Sequence, residues 1–290
     1  MRVRAARSRA LSLLLGVALL WVLVTAGSST SSASDTPGYR ITDLGALGPN
    51  QFSFAYGINN AGQAVGASHY DAVLFDNGHV SALGTAGCPV GGADNVAYDI
   101  NGAGQIVGTT CYGVGRPIRA VLWDRGTISD LGTLPGGTFA DARAINDVGQ
   151  IVGTSELRPY EAYAVLWENG KIANLGALPG GTDSAAYDIN DMGQVVGVSS
   201  NPRARAVLWE NGNMKELGTL AGTAGASSYA YGINNRGQVV GAPVPPPRGT
   251  GAGGPRATAT GIVLAPTSTG VGRVSSWASR GPVHMTACQP

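Results

Sequence analysis

The stretch "DINDMGQVVGVSS", Asp188 to Ser200, returns with small changes from Gly57, Asp99, Ala144 and Gly232, as "GINNAGQAVGAS", "DINGAGQIVGTT", "AINDVGQIVGTS" and "GINNRGQVVGAP". A phrase copied five times is either a binding loop or a folding unit, and the choice decides the fold. Its Gly-Gln pair sets the phase. Gly62, Gly104, Gly149, Gly193 and Gly237 lie 42, 45, 44 and 44 residues apart, a period that belongs to repeat architectures. Asn190 and Gly193 hold the first and fourth places preferred in a type I turn, so "YDI" and "QVVGV" on either side read as the arms of a hairpin.

Working outward, each unit carries a second hairpin. Asn77-Gly78, Asn169-Gly170 and Asn211-Gly212 are strong two-residue turn signals, with Arg125-Gly126 a weaker copy. "AVLW", at residues 164–167 and again at 206–209, is apolar throughout and reads as an interior strand covered on both faces. Four short antiparallel strands per unit predict an all-β fold, a β-propeller of about five blades, in preference to a β-solenoid with its shorter coils and parallel pairing. The segment "YRITDLGAL", residues 39–47, matches the fourth strand of a unit, whereas the fifth unit offers no clear fourth strand. The expectation is that this N-terminal strand completes the last blade and closes the ring. The propeller then spans residues 39–265, and 266–290 reads as an irregular tail or a damaged sixth unit.

The N-terminus follows a different grammar. Arg2, Arg4, Arg7 and Arg9 precede an apolar run from Ala10 to Val24, and Val24 and Ala26 fit a small-residue cleavage site. Residues 1–26 read as an export signal, with an uncleaved anchor as the alternative, and 27–38 as a flexible linker. Cleavage leaves no membrane span. It also takes four of the 19 basic residues and leaves 15 against 18 acidic, a balance that gives no footing for nucleic acid. Export into an oxidising compartment makes Cys88 and Cys111 natural disulfide partners, two free thiols being the alternative, and leaves Cys288 over.

Taken together, the L-W-x-x-G, L-G-x-L-x-G-G and I-N-x-x-G-Q elements of "AVLWENGKIANLGALPGGTDSAAYDINDMGQVVGVS" resemble the HAF extracellular repeat of secreted bacterial proteins, over roughly residues 39–242. The resemblance implies export and a repeat fold, and no settled activity. The name-giving tripeptide is replaced here by Asp71-Ala72-Val73, Arg119-Ala120-Val121, Tyr163-Ala164-Val165 and Arg205-Ala206-Val207, so no role of its histidine carries over.

Candidate chemistry is sparse. "DINDMG" looks like a calcium loop, but only Asp99 and Asp188 supply the first carboxylate and the downstream bidentate acid is missing; the turn reading wins. His69, His79 and His284 lack metal spacing, no phosphate-binding loop or nucleophile elbow occurs, and no cofactor is expected. The loops between second and third strands vary in length and carry Tyr112, Arg116, Arg119, Arg158, Tyr160, Tyr163, Arg203 and Arg205, residue types common at binding hot spots. The leading expectation is therefore a secreted module that binds an extracellular protein or glycan through these loops without chemistry of its own. The alternatives are a carbohydrate-active enzyme using Asp99 and Asp188 in the channel, and a purely structural envelope protein.

Overall fold

Each copy of the opening phrase folds as a hairpin turn. The Gly193 N–H donates to the Asn190 carbonyl at 3.0 Å, and the same bond recurs at Gly62, Gly104, Gly149 and Gly237. The second hairpins are also as read: Asn77, Arg125, Asn169 and Asn211 all take positive φ ahead of a positive-φ glycine, the backbone of a type I′ turn. The computed structural model describes residues 41–86, 95–111, 118–219, 226–244, 260–264 and 275–278. Over these residues the chain forms five four-stranded antiparallel sheets, each in simple sequential order. They are the five blades of a propeller. Their first strands are Ser53–Ile58, Val96–Ile100, Ala140–Ile145, Asp183–Ile189 and Ser227–Ile233. Among the described residues no helix is long and apolar enough to cross a membrane.

The core lies between blades. Val152 and Ala164 of the third blade pack against Ala186, Ile189, Val195, Val207 and Trp209 of the fourth, and the second–third, first–second and fourth–fifth interfaces repeat the scheme. Second and third strands are covered on both faces, which is why "IVG" and "AVLW" are apolar without alternation.

Two expectations about the ends change. The fourth strand of the fifth sheet is Ser275–Ala278, paired with Thr260–Leu264, so the sheet runs on into the stretch read as an irregular tail. Residues 41–46 form no strand. Their end instead leads into the first blade, where the Leu47 N–H donates to Ser68 Oγ at 3.0 Å, as Leu134 does to Ser155 and Leu178 to Ser199. "LGAL" there does the work of an interblade linker, so its likeness to a fourth strand came from the linker that follows every fourth strand. The seam between fifth and first blades is uncovered at its inner end. Ile58 is 71% exposed where Ile100, Ile145 and Ile189 are 4–6%, and Val240 is 46% exposed where Val65, Val107, Val152 and Val196 are fully buried.

Candidate functional site

The repeated turn is a folding unit, and its polar atoms are occupied. Asn190 Nδ2 donates to the Asn234 carbonyl of the next blade at 3.1 Å and to Gln194 Oε1 at 2.7 Å, while its Oδ1 accepts the N–H groups of Met192 and Gln194. The same step joins Asn59 to Asn101, Asn101 to Asn146 and Asn146 to Asn190, each at 3.1 Å. Each of the first four glutamines then reaches an acid at the end of its own third strand: Asp76, Asp124, Glu168 or Glu210. This one-way chain of asparagines rims a cavity of about 540 Å3 at one end of the channel.

The other end is built by five bulges. In every blade the pairing of first and second strands slips by one residue, and the residue left over is Tyr56, Tyr98, Arg143, Tyr187 or Tyr231. A bulge re-aims the side chain it frees. Here Tyr98, Arg143, Tyr187 and Tyr231, joined by Tyr229 and Val244, line a cavity of about 640 Å3. Tyr56 and Tyr98 rings meet at 5.8 Å, Tyr187 and Tyr231 at 5.7 Å, and the Arg143 guanidinium lies 4.9 Å over the Tyr98 ring. Asp141 anchors Arg143 at 2.6 Å. Burial is the largest influence on the Arg143 charge and works against it, but the charge and hydrogen bond of Asp141, joined by Tyr98 and Tyr187, together raise the pKa. Burial likewise pushes the Tyr187 hydroxyl up to about 12 and the Tyr98 hydroxyl upward, so both remain neutral donors.

Asp99 and Asp188 directly follow the bulged tyrosines, at the level between the two cavities. The first strands of neighbouring blades come close at this level: a Cβ added at Gly57 would come within 2.9 Å of the Asp99 Cα. Asp188 accepts the N–H of Ile189 at 2.8 Å and that of Ile233 in the next blade at 2.7 Å; Asp99 does the same with Ile100 and Ile145, both at 2.9 Å. These bonds favour the charged form, yet burial dominates. It raises the Asp99 pKa and takes that of Asp188 to about 6, where the Asp99 charge adds a smaller push.

The folded protein therefore binds a proton at Asp188 that the unfolded chain has already released, so stability present below pH 4 is lost as pH rises through 6. Unfolding free energies measured from pH 4 to 7 are expected to fall by about 2–3 kcal/mol on this account, and Asp188→Asn to flatten the slope. An unchanged slope in the variant would remove Asp188 as its source.

The loop residues do not converge. Arg119 is paired with Asp130 at 3.1 Å, Arg158 with Glu161 at 3.7 Å, and Arg205 with Glu216 at 3.5 Å, where it also donates to the Ala226 carbonyl. Tyr163 packs against the second–third blade core, Arg203 is exposed, and Tyr160 stands fully out in solvent at a positive-φ turn position. Tyr112, Arg116 and Cys88 lie outside the described residues; Cys111 is disulfide-bonded. Among the described residues no cluster of His, Cys, Asp or Glu could hold a metal. Sequence reasoning missed Tyr98, Arg143, Tyr187, Tyr229 and Tyr231. The signal was present, because a tyrosine precedes the Asp or Gly of "YDIN" and "YGIN" in four of the five copies.

No protein-family model and no curated protein matches this chain. A solved structure similar to it is a gluconolactonase from Xanthomonas campestris, 12% identical with a TM-score of 0.41, the match covering 65% of this chain and 68% of that one. In this chain Arg119, Arg158 and Arg205 are each paired with an acid of their own hairpin, while a concave cavity lined by four tyrosines and Arg143 opens in the channel. The expectation of a loop-borne binding module without chemistry is corrected accordingly: the candidate site of this propeller is its channel.

Proposed function

We propose that this chain is an exported carbohydrate-active enzyme whose site is the tyrosine-lined mouth and the two aspartates beneath it. The observation that carries the reading is the pairing of a half-buried acid of raised pKa, Asp188, with the concave aromatic cavity that its chain neighbour Tyr187 lines. The leader-like N-terminus and the likeness to HAF-type extracellular repeats support action outside the cell. Sugar rings present apolar C–H faces that stack on tyrosines, and hydroxyls that pair with the phenols and with Arg143. With a pKa of about 6, Asp188 is partly protonated near neutrality and donates that proton to the leaving oxygen as its bond to carbon breaks. Asp99, at the equivalent position of the second blade, takes a proton from the attacking water.

A hydrolysis screen over glycans and sugar esters tests this. Turnover is expected from the wild type, falling as pH rises above 6, with Asp188→Asn slower by about 100-fold or more. A wild type inert across the screen, or an Asp188→Asn variant with full activity, would refute the assignment.

A further inference from the structure

A run of aromatic rings leads from the outer rim of the first blade into the channel mouth. The His69 ring lies 4.0 Å from Tyr70 and 5.9 Å from Phe52, Phe52 lies 5.6 Å from Phe54, Phe54 is stacked 6.3 Å from Tyr56, and Tyr56 meets Tyr98 at 5.8 Å. Phe52, Phe54 and Tyr56 are held side by side by these ring contacts, and each is a little over half exposed. Rings of this size are normally buried in a core, and a contiguous exposed set marks an interaction surface.

The geometry points to an extended, uncharged polysaccharide as the occupant, and we propose that this run is a track feeding such a chain into the channel; the inference rests on the carbohydrate reading of the mouth. Three features favour that occupant. The rings succeed one another at nearly even steps of 5.6–6.3 Å from His69's neighbour Phe52 to Tyr98, which suits a polymer that repeats one sugar ring after another. From Phe52 to Tyr56 the run carries no Asp, Glu, Lys, Arg or His, so nothing in those rings favours a charged ligand. Finally, the run ends at Tyr98, which lines the mouth cavity, so the surface is continuous with the site above Asp99 and Asp188. The last platform is the one that Arg143 covers.

The test is binding, which stands apart from any turnover. Wild type, Phe52→Ala and Phe54→Ala are compared by affinity electrophoresis in gels containing soluble β-glucan, xylan or galactomannan, with polygalacturonate as the charged control. Both side chains are half in solvent, so the variants are expected to fold, and circular dichroism checks it. The wild type is expected to be retarded by at least one neutral polymer, with dissociation constants about tenfold weaker in each variant. Retardation lost in the variants while the wild type hydrolyses nothing leaves the track standing and removes the enzyme reading. A wild type retarded by no neutral polymer, retarded most by polygalacturonate, or retarded equally with its variants overturns the track. So does light scattering in which Phe54→Ala turns a dimer into a monomer, since the rings would then cover a second copy of the chain.

Discussion

Gly153→Ala is expected to leave the protein unable to fold. The new methyl would lie 2.0 Å from the Asp141 carbonyl oxygen and 3.0 Å from the Ala142 Cα, and both obstacles are backbone of the neighbouring strand in the same sheet. Overpacking among side chains costs about 1–3 kcal/mol because rotamers yield. Here the strands themselves would have to part, and a loss above about 5 kcal/mol, in the exceptional range for a point substitution, is the expectation. The contact recurs in every blade, with Gly66, Gly108, Gly197 and Gly241 at 1.8–2.1 Å from the equivalent carbonyl. It is the reverse side of the bulge: the first strand swings close to the second where it releases its tyrosine or arginine toward the axis. Gly62→Ala serves as the control. It meets nothing within 4 Å and carries only a positive φ, worth about 1–2 kcal/mol. Soluble yield and urea midpoints separate the two, and a Gly153→Ala protein as stable as Gly62→Ala would show that the close approach is not required.

Asn146→Ala should cost about 4 kcal/mol. The side chain is 4% exposed, donates to Gln150 Oε1 and to the Asn190 carbonyl, and accepts the Gln150 N–H. Removing it orphans groups that water cannot reach, at about 1–3 kcal/mol each. Asn234, the last in the chain of asparagines, keeps the bond to Gln238 within its own turn and is exposed. Asn234→Ala is expected to lose only about 1 kcal/mol, because the N–H groups of Arg236 and Gln238 and the Gln238 side chain that it leaves are open to water. Equal losses at the two positions, read from thermal or urea unfolding, would mean that the contact across blades adds nothing.

Strand count, turn types and blade order were all legible, because each rests on local chemistry: Asn-Gly for the second hairpins, Asn-x-x-Gly for the first, unbroken apolar runs for strands covered twice. The end strand was misread for a related reason. "YRITDLGAL" combines a strand-like half with a linker-like half, and only the sheet pairing, a contact across most of the chain, reveals that the linker half decides its place. The site was harder. Variable loops with arginines drew attention, but Arg119, Arg158 and Arg205 each find an acid on the neighbouring strand of the same sheet. The bulge that singles out Tyr98, Arg143 and Tyr187 leaves no mark on periodicity beyond one misplaced alternation, and a β-strand read as regular assigns those side chains to the wrong face.

The chain of asparagines has a direction: every donor lies in one unit and its acceptor in the next, at offsets of 42, 45, 44 and 44 residues. Gain or loss of a whole unit by unequal recombination would thus preserve the chemistry of every junction, since each new boundary is a copy of an old one. A one-residue insertion inside a first strand has no such protection, because it would rotate the tyrosine of that unit out of the belt. Within this chain the asparagine, the glutamine and the glycine that admits the bulge accordingly recur in all five units, while the stretches between one such set and the next differ in length.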